Sequence, residues 1–325
     1  MSNSAYERTA LAWDPVAARL VTAHGPGQGE LWDVSAPRAP RRLHPVTDSP
    51  GGDTRGVVFA AQGSLLFVAG RQPSTHFQDF TIYSTGGIPR VLSSKVLPVT
   101  QDRGLGPVLA VRPDGGAFAV DEGGTGASNV SIWDSADPVA PARASSLDGI
   151  FDAGDAAVDV TFSPDDVTMA VEVRRARPGT GQGPRVLYLY DVSDIRHPAL
   201  MSRTDVGSTF AALAFSPNGR LLLGPGIGVT ATLWDVRDAT KPVVAGTLAT
   251  GSPLTAAAFD QSGSVLATGE QNGTVKLWKV APGRQPILSR TLTRRTSAID
   301  QVSFDPRTGL LGVADDTSVQ LWKTQ

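Results

Sequence analysis

Residues 254–279 read LTAAAFDQSGSVLATGEQNGTVKLWK, and this stretch decides the fold. An apolar run closes on Phe259 and is followed at once by the turn formers DQSG. A second run, VLATGE, leads into QNGT, and a third ends on Trp278. Gly and Asn tolerate the positive φ of tight hairpin turns, so both breaks read as turns between short strands. The apolar residues run or alternate over short stretches, which is strand periodicity; no stripe of roughly 3.6-residue spacing and helical length is present.

The same unit recurs on both sides of this stretch. The residue that closes the first run is Trp13, Phe59, Val111, Phe162, Phe215, Phe259 and Phe304 in turn. The aromatic of the third run is Trp32, Tyr83, Trp133, Tyr190, Trp234, Trp278 and Trp322, at spacings of 51, 50, 57, 44, 44 and 44 residues. A further strand-like run follows each of the first six: RRLHPV, RVLSSKV, ARASSL, ALMSRTDV, VVAGTLAT and ILSRTLT. Four short strands per unit, repeated at a near-fixed period, is the plan of a propeller blade.

The pattern of an apolar pair, Phe-Ser-Pro-Asp-Gly, then Leu-Trp-Asp-Val resembles the WD40 family. It covers essentially the whole chain, with endings at Trp32–Val34, Trp133–Asp134, Tyr190–Val192 and Trp234–Val236. The resemblance implies an all-β fold, a seven-bladed propeller of four-stranded antiparallel blades in one domain, residues 1–325. It also implies that the five tryptophans on third strands are largely buried between blades. The Gly-His pair that opens many family repeats has no clean counterpart; Gly207-Ser208, Gly251-Ser252 and Thr296-Ser297 stand there instead. The family's buried His–Asp–Ser/Thr–Trp network is therefore expected to be absent, with packing between blades ordering the ring. Rings of this family usually borrow an N-terminal strand to complete the last blade. After Trp322 only Lys323, Thr324 and Gln325 remain, and only MSNSAYE precedes the innermost strand of the first unit. The last blade is expected to lack its outer strand, either because upstream residues of a longer protein supply it or because a second molecule covers the edge.

Composition removes several functions. There is no cysteine, hence no disulfide, thiolate metal site or cysteine nucleophile. Net charge is −2, so no global basic field favours nucleic acid or an anionic membrane. The 35 glycines and 24 prolines suit a turn-rich β protein. No GxSxG elbow occurs, and the glycine clusters at 24–30 and 179–184 lack a following helix and a GK[ST] ending, so they read as hairpin loops and not phosphate cradles. His24, His44, His76 and His197 fall in separate loops without ligand spacing, and no metal or cofactor is expected. Asp165–Asp166 reads as a turn and not a catalytic pair. Propeller enzymes need clustered histidines or carboxylates at the ends of innermost strands, where this sequence has mostly Ala, Val, Thr and Leu.

Function is sought where the units differ. From first to second aromatic the distances are 19, 24, 22, 28, 19, 19 and 18, so units 2, 3 and 4 carry extra residues between their second and third strands. These insertions are RQPSTHFQDF (71–80), DEGGTGASN (121–129) and EVRRARPGTGQGPR (172–185). The resemblance implies that they share a face, the top, with the connectors into the innermost strands, including the acidic DGIFDAGD (148–155). Bulky aromatics and arginines in loops are the usual anchors of interfaces. The candidate partner-binding residues are Arg55, Arg71, His76, Phe77, Arg103, Phe151, Arg174, Arg175 and Arg177; solvated, functionally neutral hairpins are the competing reading.

The expected function is a non-catalytic interaction scaffold or sensor that binds a protein or peptide partner, with no nucleic acid and no membrane. The alternative is the ligand-sensing part of a larger NTPase, protease or kinase effector, as in the bacterial signalling proteins that this chain resembles. An Arg-, Ala-, Gly- and Pro-rich composition fits a bacterial source, and the N-terminus MSNSAYERTA, without a basic start and apolar run, fits a cytoplasmic location.

Overall fold

Seven antiparallel sheets follow one another along the chain. The structure, a computed structural model, describes residues 9–24, 29–46, 53–72, 77–98, 109–122, 129–147, 149–176, 183–207, 212–226, 230–294 and 297–324. Blade 1 is β1 (Thr9–Trp13), β2 (Arg19–His24), β3 (Gly29–Asp33) and β4 (Arg41–Val46). Blade 2 is β5 (Asp53–Ala60), β6 (Leu65–Gln72), β7 (Phe77–Ser84) and β8 (Arg90–Pro98). Blade 3 is β9 (Leu109–Val111), β10 (Ala117–Asp121), β11 (Val130–Asp134) and β12 (Ala142–Ser146). Blade 4 is β13 (Ala156–Phe162), β14 (Thr168–Arg174), β15 (Arg185–Asp191) and β16 (Ala199–Val206). Blade 5 is β17 (Ala214–Phe215), β18 (Leu221–Pro225), β19 (Thr230–Asp235) and β20 (Val243–Ala249). Blade 6 is β21 (Leu254–Phe259), β22 (Val265–Glu270), β23 (Thr274–Lys279) and β24 (Ile287–Arg294). Blade 7 is β25 (Ile299–Phe304), β26 (Leu311–Asp315) and β27 (Ser318–Trp322), a sheet of three strands among the described residues.

Each blade is an up-and-down meander, so strand order in space is strand order in sequence. The innermost strands touch in a closed circuit, β1–β5–β9–β13–β17–β21–β25 and back to β1. The chain is a seven-bladed propeller. Its core is not a single cluster but a set of slabs between neighbouring blades. One slab joins Ala119 and Ile132 of blade 3 to Val160, Val171 and Tyr188 of blade 4. Blades 2 and 3 meet through aromatic rings: Phe80 lies edge-on to Phe118 at 4.7 Å, and Phe118 stacks with Trp133 at 5.9 Å. Second and third strands are covered on both faces, so they read as apolar runs and not as clean alternation.

The turns follow the expected chemistry. Gly219 and Gly263 hold φ of 69° and 71° after SPN and DQS, and Asp166 takes φ 64° at the same place in SPDD. Ser163 and Asp166 close that turn through Asp166 N–H donating to Ser163 O at 3.1 Å, which confirms Asp165–Asp166 as turn residues.

The third-strand tryptophans divide into two groups. Trp133, Trp234 and Trp278 are 8%, 9% and 4% exposed, and Trp32 and Trp322 are less completely buried. Both exceptions flank the junction of blades 7 and 1. All five residues of β27 are half-buried, whereas β11 and β19 have four buried each, because no described outer strand covers β27.

The indole hydrogen bonds correct one expectation. Trp32 Nε1 donates to Thr22 Oγ1 at 2.9 Å and Trp278 Nε1 to Thr268 Oγ1 at 3.0 Å. The hydroxyl–indole end of the family network thus stands in blades 1 and 6. In blade 5 the equivalent residue is Gly224, and the buried Trp234 Nε1 has no hydrogen-bond partner among the described residues.

Ring closure is made on the inside. Across the junction Thr9 N–H donates to Asp300 Oδ2 (2.9 Å), Leu11 N–H to Gln301 Oε1 (2.8 Å) and Trp13 Nε1 to Ser303 O (3.0 Å). The innermost strands of blades 1 and 7 are laced together while the outer edge of blade 7 is left uncovered by any described strand.

Candidate functional site

The insertion of blade 2 is spent mostly on strand, whereas in blade 4 each strand gains little and residues 175–184 separate β14 from β15. β6 and β7 are eight residues each and pair as far as Gln72 with Phe77, so Arg71 and Phe77 belong to the sheet and only residues 73–76 separate the strands. Phe80, at the end of that supposed loop, is a core residue, 2% exposed. In blade 4 β14 and β15 pair from Thr168 with Asp191 to Arg174 with Arg185. The top rim therefore stands higher over blade 2.

Within blade 4 the charged residues of the insertion turn inward. Glu172 is fully buried and forms an ion pair with Arg185, itself 8% exposed. Burial pushes the Glu172 carboxyl up to about 8, against the pull of Arg185 and with a further push from Asp159. Arg185 is thus a core partner and not one of a set of solvated loop cations.

Arg175 is the centre of a second cluster. Its guanidinium forms an ion pair with the buried Asp155 carboxylate, donates to Ile150 O at 2.9 Å and to the Tyr188 hydroxyl, and lies 5.7 Å over the Tyr188 ring. Asp152 stands 3.6 Å away on the solvent side. The Asp155 carboxylate also accepts Asp152 N–H at 2.8 Å and Ala176 N–H at 2.7 Å. Arg175 N–H donates to Pro184 O at 2.9 Å, which closes the base of the hairpin. The connector 149–155 is thereby tied to the base of the hairpin at Arg175, Ala176 and Pro184. The outward surface there includes the exposed Asp152, Ala153 and Ala176.

The other candidates are dispersed. Arg174 is half-buried at the end of β14. Phe151 is partly buried against the slab between blades 3 and 4, so it is a packing residue more than a free anchor. Arg55 is the extra residue of a β-bulge in β5, between Thr54 and Gly56. The side chains of Arg55, Arg71 and Phe77, and the whole of His76, Arg103 and Arg177, lie outside the described residues. The structure assembles Phe151, Arg174 and Arg175 in blade 4. The residues that sequence reading passed over are Asp155, which looks like one more loop acid, and Tyr188, which looks like a core aromatic. The DAGD turn facing an arginine-rich hairpin is the one signal that links them.

Among the described residues no three of His, Cys, Asp or Glu are grouped to hold a metal ion. His24 pairs with Thr9 Oγ1 at 2.9 Å and His197 with Asp194 at 2.9 Å, on separate blades.

Residues 244–279 match the family model of the WD domain, G-beta repeat. This stretch carries the WD40 repeat. It starts in β20, the outer strand of blade 5, and ends in β23, the third strand of blade 6, so the WD40 unit is offset by one strand from the blade. A chain of the crystal structure of a mitotic checkpoint complex is similar in fold, with a TM-score of 0.70 at 14% identity, over 100% of this chain and 92% of that one. No curated protein matches the sequence.

Proposed function

We propose that the chain is a non-catalytic interaction module that seats a protein or peptide partner on the top rim over blades 2 to 4. The observation that carries this reading is the cluster of Arg175, Asp155 and Tyr188, which ties the connector 149–155 to the base of the blade 4 hairpin. A rim ordered before contact gives up less conformational freedom on binding than a mobile loop. A WD40 repeat within the ring, and similarity to a chain of a multi-protein complex, support the same reading. A cytoplasmic signalling role in a bacterial host belongs to this proposal.

The test removes residues 178–182, beyond the Arg175–Pro184 closure, and compares cross-linked partners from native host cells. A partner captured by the full chain and lost with the shortened hairpin, at unchanged melting temperature, supports the rim. A partner captured equally by both forms places binding elsewhere.

A further inference from the structure

We infer that the outer flank of blades 5 and 6 is a docking surface for an acidic, aliphatic peptide segment of another protein. The first two residues of the outer strand are exposed in each of the six four-stranded blades. They are Arg41-Arg42 in blade 1, Arg90-Val91 in blade 2, Ala142-Arg143 in blade 3 and Ala199-Leu200 in blade 4, but Val243-Val244 in blade 5 and Ile287-Leu288 in blade 6. The fold accepts two arginines at this place, so packing does not call for the four aliphatic side chains. These are 57%, 59%, 63% and 47% exposed in chain order. Scattered exposed aliphatics are ordinary, but a contiguous group rimmed by polar residues marks contact with a partner.

The two aliphatic pairs are held side by side. Thr247 N–H in β20 donates to Gln285 Oε1 (3.3 Å), and Gln285 Nε2 donates back to Thr247 O and to Thr247 Oγ1 (3.2 Å). Pro286, one residue before Ile287, lies so close to Gly246 that a Cβ there would meet Pro286 Cδ at 2.5 Å. The turn of blade 6 is thus seated on the outer strand of blade 5, two residues from Val244. The Gln285 amide also takes up both main-chain groups of Thr247, so strand addition is blocked on β20 at this point and a partner must bind through side chains.

Charge selects the partner. Residues 236–250 and 280–292, which hold the four aliphatics, carry Arg237, Lys241, Arg284 and Arg290 against a single acid, Asp238, in a chain of net charge −2. Arg237 is paired with Asp235 at 2.6 Å, and the Asp238 carboxylate accepts Thr240 N–H at 3.0 Å and the Thr240 hydroxyl at 2.6 Å. Lys241, Arg284 and Arg290 are exposed and form no ion pair among the described residues. An acidic segment is attracted by these three cations, and its own aliphatic side chains then cover Val243, Val244, Ile287 and Leu288. The two stretches contain no Trp, Tyr or Phe, the side chains that seat proteins at a lipid interface, which favours a peptide over an anionic membrane. This flank lies apart from the top rim over blades 2 to 4 and does not depend on it.

The probe is a random dodecapeptide library displayed on phage, depleted on the double variant Val244→Thr/Ile287→Thr and then panned against the full chain. Enriched peptides are expected to carry both acidic and aliphatic residues. Once synthesised, they should bind more weakly as salt rises and lose about tenfold in affinity for Val244→Thr/Ile287→Thr and for Arg284→Glu/Arg290→Glu. Threonine keeps the β-branched shape at exposed positions, so melting temperature should hold. Val91→Thr, at an equally exposed aliphatic on β8, is the control and should bind as the native chain does. Where the threonine variant fails to fold, Arg284→Glu/Arg290→Glu takes its place in the depletion. No enrichment, enriched peptides without acidic or aliphatic residues, or affinities unmoved by either variant overturn the inference. Binding to phosphatidylserine vesicles that the threonine variant loses, with no peptide enriched, assigns the flank to a membrane. A dimer in sedimentation that the same variant disperses assigns it to a second copy. Either result also overturns the inference.

Discussion

Arg175 stands in a run that composition marks as surface, yet its guanidinium is held on four sides by Asp155, Asp152, Ile150 O and Tyr188. Removing it leaves a buried carboxylate short of its cation, so Arg175→Ala should cost about 2–3 kcal/mol and lower the melting temperature, whatever it does to binding. Glu172 gives a pH signature. Its folded pKa is about 8, above the ordinary carboxylate value of 4.5, so the stability tied to its protonated form is complete below 4.5 and is lost as pH rises to about 8. Melting temperature measured across that window should fall more steeply for the native chain than for Glu172→Gln. The indoles supply a matched pair. Thr268→Val removes the acceptor of the buried Trp278 N–H and should cost about 1–3 kcal/mol. Gly224→Ser places a hydroxyl near Trp234 Nε1, which has no partner among the described residues and which a Cβ meets at 3.6 Å without clash, and should raise stability by about 1 kcal/mol in urea unfolding.

At the level of single strands, burial separates chemically equal tryptophans. Trp278 on β23 is 4% exposed with β24 outside it, and Trp278→Ala should cost about 3–5 kcal/mol through the cavity left behind. Trp322 on β27 is half-buried, so Trp322→Ala should cost clearly less, measured by the same urea titration. The third strands were legible from Leu-Trp-Asp-Val and its variants, because an apolar run between turn formers has few other homes. The lengths of the top hairpins were not. An insertion of polar and apolar residues can lengthen two paired strands or separate them, and only the cross-strand pairs show that blade 2 stays paired out to Gln72 and Phe77 while blade 4 stops pairing at Arg174 and Arg185.

Across the whole ring, the described contacts that close it join the innermost strands of blades 1 and 7. Gln301→Ala strips the acceptor from Leu11 N–H at the junction and should lower stability by about 1–3 kcal/mol, read as a fall in melting temperature. Alanine at Ser303, whose backbone carbonyl and not its side chain serves the junction, should change it little. Seven repeats and four strands to a unit were determined by the sequence itself, because repeat number and strand period are local, one-dimensional properties. The partnership of Arg175 with Asp155, the burial of Glu172 with Arg185, and the less complete burial of Trp32 and Trp322 were decided only by the tertiary structure. Each depends on which distant segments the ring brings side by side, and charge pairing and burial are set by that proximity and not by residue type.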